Sequence, residues 1–156
     1  MSADAPDAPP AETPPPALRA VLASGTGDNA ITLTLGQVLG GDGELAVEVA
    51  SQGFGGRQDV WFQAYELGRF ATELRRFARD GKGPVNLRSM SPEKFMLDLV
   101  PFSKRDRALV TVRLQRHAFW GEPRFAQSLF AAFEWERERL DPLIAEVEAL
   151  VAAMRG

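Results

Sequence analysis

The sequence predicts an α+β fold: a single antiparallel sheet of about five to seven strands with two helices on one face. Three observations carry this. Several runs alternate apolar and polar residues with the period of a half-buried strand, from Ile31-Thr32-Leu33-Thr34-Leu35 to Val110-Thr111-Val112-Arg113-Leu114. Two other segments place apolar residues at three- and four-residue steps, the spacing of an amphipathic helix. Turns rather than helices separate the long strands, which argues against a parallel α/β sheet.

The elements follow in chain order. Residues 1–16 hold six of the eleven prolines and three carboxylates (Asp4, Asp7 and Glu12) without a basic residue. Such a segment buries too little apolar surface to offset its ordering entropy, so a flexible acidic tail is expected there and one domain over 17–156. From Leu18 to Gly27 no pattern stands out, and Ser24-Gly25-Thr26-Gly27-Asp28-Asn29 reads as a turn. The alternating run from Ile31 and a second one, Leu45-Ala46-Val47-Glu48-Val49, flank the turn cluster Gly40-Gly41-Asp42-Gly43 and read as a hairpin. Ser51-Gln52-Gly53-Phe54-Gly55-Gly56 breaks the pattern, and Val60-Trp61-Phe62 is a short third strand.

Leu67, Phe70, Ala71, Leu74 and Phe77 then form the stripe of the first helix, with Glu66, Arg69, Glu73 and Arg76 opposite. Gly81 sits where a helix end commonly needs a left-handed residue. Val85–Arg88 and Phe95-Met96-Leu97-Asp98-Leu99-Val100 read as strands, and Pro101 to Arg107 as a charged loop. Residues 108–117 alternate again, with Ala108, Val110, Val112 and Leu114 on one side. Residues 125–135 are expected as a strand, although Ala131-Ala132 also suits a helix. Asp141-Pro142, a capping residue before a proline, announces a last helix with Leu143, Val147, Leu150, Val151 and Met154 inward.

Composition limits the chemistry. With no cysteine and one histidine, disulfides, thiolate metal sites and cysteine nucleophiles are excluded, and no cofactor or metal is expected. No segment has the spacing of a calcium loop, a P-loop or a dinucleotide site; the glycine stretches serve turns. No serine or carboxylate is placed to complete a triad with His117, so the chain is not expected to be an enzyme. The chain has 18 basic and 21 acidic residues; with three of the carboxylates in the tail, residues 17–156 have no net charge. Such a domain lacks the field that attracts nucleic acid, and the basic clusters at Arg75, Arg76, Arg79 and Lys82 and at Lys104, Arg105 and Arg107 have acidic neighbours. No apolar run spans a bilayer and no signal peptide opens the chain, which makes the expected location the cytoplasm.

What remains is a binding surface. If Ala108, Val110, Val112 and Leu114 face the helices, Thr111, Arg113, Gln115 and His117 face outward, and Asp98 joins them by the same alternation. Phe119-Trp120-Gly121 follows that strand and precedes Pro123, which places Trp120 at the rim as an aromatic anchor. Asp98, Thr111, Arg113, Gln115, His117 and Trp120 are therefore the candidate partner surface, for a protein partner or for self-association. A small-molecule-binding domain is the second reading, and a small enzyme the third.

The order Phe70-x3-Leu74, Gly83-Pro84-Val85-x-Leu87, Phe95-x-Leu97-x-Leu99, Val110-x-Val112-x-Leu114, a strand and a leucine-rich terminal helix resembles, in layout, small bacterial families of unknown function. It also resembles the immunity proteins of polymorphic toxin systems, the WapI-type families among them. The resemblance covers about half the chain, from Leu67 to Val151. It implies a cytoplasmic protein that binds and neutralises a toxin domain without catalysis of its own; no family functional residue carries over.

Overall fold

The computed structural model describes residues 17–102, 104–118 and 125–156. The tail expected at residues 1–16 and the loop around Trp120 lie outside the described residues. Four strands precede the first helix: β1 (Arg19–Ala23), β2 (Asn29–Leu39), β3 (Asp42–Ser51) and β4 (Phe54–Gln63). Helix α1 (Ala64–Asp80) leads to β5 (Val85–Arg88), β6 (Phe95–Phe102), β7 (Lys104–Ala118) and β8 (Phe125–Glu136). A 3₁₀ turn at Arg137–Arg139 then enters helix α2 (Leu140–Arg155).

The fold class is α+β, but the single sheet of five to seven strands is not found. The strands form two antiparallel sheets of four, ordered β1-β2-β3-β4 and β5-β6-β7-β8. Alternation along a strand sets which side chains share a face and is silent on which strand lies beside it. Helix α1 breaks the chain after β4, and β5 turns to pair with β6 instead of extending the first sheet.

Both sheets turn their apolar faces to one core. Leu45, Val47, Val60 and Phe62 from the first sheet and Leu87, Phe95, Leu97, Leu99, Val110 and Val112 from the second belong to a single buried cluster. The stripes of α1 and α2 complete it with Leu67, Phe70, Leu74 and Phe77, and with Leu143, Val147 and Leu150. Phe62 and Phe95 meet edge to face across the sheets, their centroids 5.5 Å apart at 73°.

Local differences from expectation have local causes. Residues 19–23, without an evident pattern, pair along their whole length with β2. The third strand is longer than Val60–Phe62, because Phe54 to Gln63 pair without a break with β3. The expected charged loop after Pro101 is mostly strand: Pro101 lies opposite Ala108 and Phe102 opposite Lys104 across a register shift. Residues 125–136 are strand, as the alternation indicated. Asp141 is not a cap. It lies in the first turn of a helix that starts at Leu140, where the missing N–H of Pro142 breaks no helical bond.

Candidate functional site

The second sheet presents its outer face as a polar array. Pairing places Asp98 opposite Thr111 and Met96 opposite Arg113 between β6 and β7. Between β7 and β8 it places Arg113 opposite Phe130, Thr111 opposite Ala132 and Gln115 opposite Ser128. Ala108, Val110, Val112 and Leu114, the alternate residues of β7, are buried in the core. Asp98, Thr111, Arg113 and Gln115 therefore share one surface. His117 lies opposite Ala126 in the same strand pair, but its side chain, like all of Trp120, lies outside the described residues.

Met96, Asp98, Thr111, Arg113 and Phe130 line a shallow hollow of about 180 Å³ on that surface. Asp98 Oδ1 accepts from Arg88 Nη2 at 2.9 Å, and Arg88 Nη1 donates to the Leu97 carbonyl at 3.0 Å. The carboxylate is thus held in place by a half-buried cation. Arg113, by contrast, is exposed and has no ion-pair partner among the described residues. At the end of the face Arg107 Nη1 lies 2.6 Å from Glu134 Oε2, and that hydrogen bond raises the guanidinium's pKa above its ordinary value.

Arg88, Met96 and Phe130 belong to this surface but were not among the residues expected there. Phe130 is the most telling, because it is 64% exposed. The signal was present in the sequence: if Leu129, Phe133 and Trp135 point inward by period 2, Phe130 must point outward.

A second feature lies at the seam between the sheets. The start of β4, from Phe54 to Gln58, faces Leu114, Arg116 and residues 127–130 across a cleft of about 430 Å³. Sequence reasoning assigned Gly55 and Gly56 to turns and missed this cleft, which joins segments about seventy residues apart.

Catalytic geometry does not emerge from the described residues. Their buried polar side chains are Ser24, Asn29 and Ser89. Ser51 Oγ donates to Asn29 Oδ1 at 2.6 Å, and Ser24 Oγ accepts the Asn29 amide at 3.2 Å. Ser89 Oγ donates to the Ser91 carbonyl. All three brace turns. No group of three or more His, Cys, Asp or Glu among the described residues could hold a metal, and no helix among them is long and apolar enough to cross a membrane.

Residues 41–155 match the model of the immunity protein WapI-like family. The chain belongs to the WapI-like immunity family. The matched region runs from the β2–β3 turn through α2 and includes the whole of the second sheet, with its polar face and its side of the cleft. No curated protein and no solved structure matches the chain.

Proposed function

We propose that this protein is a non-catalytic immunity protein that binds a toxin domain in the cytoplasm and neutralises it by occupancy. The family match over residues 41–155 carries the reading. The partner surface is the outer face of the second sheet, with Asp98, Thr111, Arg113 and Gln115 supplying directional contacts and Phe130 an apolar one. His117 and Trp120 extend it on the strength of the sequence alone. Polar groups fixed on a sheet give specificity, because strand pairing holds them before the partner arrives. An exposed arginine without an ion-pair partner among the described residues suits a carboxylate of that partner, and guanidinium and aromatic groups are the common energetic centres of interfaces. A folded domain without net charge has little to offer nucleic acid.

The test is capture of the toxin domain encoded beside this gene, by the full chain and by Arg113→Glu with Trp120→Ala. The wild type should bind, and the double variant should bind at least about tenfold more weakly at an unchanged melting temperature. Equal affinity of the two proteins removes this face as the site. If the wild-type chain captures no toxin domain, the immunity reading fails.

A further inference from the structure

Strand β4 ends the first sheet, so one side of its backbone has no strand partner. The Met90 amide donates to the Trp61 carbonyl at 2.9 Å, which fixes the direction of that free side. Backbone groups in an antiparallel pair alternate, so the N–H and C=O groups of Asp59, Arg57 and Gly55 also point away from β3. No described residue bonds to them. An edge with three successive free donor–acceptor pairs is a template for another strand.

The cleft beside this edge has a definite chemistry. Gly56 lies on its floor, where an added Cβ would stand 3.3 Å from Leu129 Cδ1 and 3.6 Å from Leu114 Cδ2. The absent side chain keeps the cleft open above an apolar base. Phe54, 78% exposed, and Phe130, 64% exposed, stand along it without cover. Among the described residues two cations line it, Arg57 and Arg116, and no carboxylate does. Arg57 meets Glu48 at 3.2 Å in an ion pair whose side chains are both more than half exposed, so the pair is weak and Arg57 remains available. Arg116 Nε donates to Gln127 Oε1 at 2.7 Å, a neutral partner, and no carboxylate among the described residues pairs with it.

We propose that this cleft takes an extended acidic segment of a protein partner, added as a strand to the free edge of β4. Its backbone bonds Gly55 and Arg57, its apolar side chains alternate onto the base formed by Leu114 and Leu129, and its carboxylates meet Arg57 and Arg116. The inference rests on the immunity reading only for the identity of the partner.

Two probes test it on the full chain: a short synthetic peptide alternating valine with glutamate, and the same peptide with lysine for glutamate. Amide signals of Gly55, Arg57 and Asp59 should shift on addition of the acidic peptide and stay still with the basic one. Neutralising the cations in Arg57→Gln/Arg116→Gln should weaken acidic-peptide binding about tenfold or more. N-methylation of alternate peptide amides should abolish it, because only a strand needs those donors. Equal binding of both peptides, or shifts confined to residues outside the cleft, overturns the proposal. A wild-type chain that captures its toxin, paired with a cleft indifferent to the acidic peptide, removes this inference and leaves the immunity reading intact. Peptide binding at β4 in a chain that captures no toxin does the reverse.

Discussion

Trp135 shows how much one side chain contributes to this architecture. It is 1% exposed near the end of β8, and its indole Nε1 donates to the Ala23 carbonyl at 3.0 Å. Since β8 closes one sheet and Ala23 ends the outer strand of the other, the bond ties two free edges together. Trp135→Phe leaves a half-buried carbonyl without its donor and opens space behind a smaller ring. The expected loss is about 2–4 kcal/mol in urea unfolding. Arg69 does comparable work between α1 and β5. Its guanidinium reaches Glu73 at 2.5 Å, Glu66 at 2.8 Å and Asn86 Oδ1 at 3.0 Å, while Glu73 accepts the Asn86 amide at 3.1 Å. The hydrogen bond to Glu66 is the chief cause that raises its pKa above the ordinary arginine value. Both clusters position scaffold, and the Arg69 cluster meets the outer face of the second sheet at Asn86, which lies opposite Asp98.

Among the elements, α1 depends most visibly on its end. Gly81 has φ 66°, and its amide closes the helix on the Phe77 carbonyl at 2.9 Å. Arg137, from the 3₁₀ turn, donates to the Ala78 carbonyl at 2.7 Å and lies 5.8 Å from the centre of the Phe77 ring. A Cβ at residue 81 would stand 2.8 Å from Arg137 Nη1. Gly81→Ala should therefore cost about 1–2 kcal/mol in thermal unfolding, with strain from the left-handed backbone and displacement of Arg137 combined. An unchanged melting temperature would show that the cap is dispensable. The stripe of α1 and the position of Gly81 were legible in the sequence because both depend on neighbours within a few residues. Strand β1 was not. Its inward residues Ala20 and Leu22 are too few to show a period, and β2 supplies the pairing that defines it. The placement of Asp98, Thr111, Arg113 and Gln115 on one face was legible, since alternation and burial on the opposite face decide it together. The cleft was hidden, because Gly55-Gly56 looks like a turn until Leu114 and Leu129 come to lie across from it.

For the whole molecule, the central question is whether two sheets with separate hydrogen-bond ladders behave as two folding units. Packing answers that they should not. Phe62 and Phe95 are both fully buried and belong to different sheets, and their contact lies inside one core closed by both helices. Truncation at Phe95 opens a cavity that neither sheet can fill by itself. A loss of about 3–5 kcal/mol is expected for Phe95→Ala, a large part of the roughly 5–15 kcal/mol that holds an ordinary domain together. Because the two apolar faces share one core with both helices, opening one exposes the other, and the ladders should unfold in a single step. Native-state hydrogen exchange reads this directly. In Phe95→Ala the slowest amides of β2 and β3 should lose the same protection as those of β6 and β7. A drop confined to β6 and β7 would mean that the first sheet stands alone, and the core would then have to be described as two.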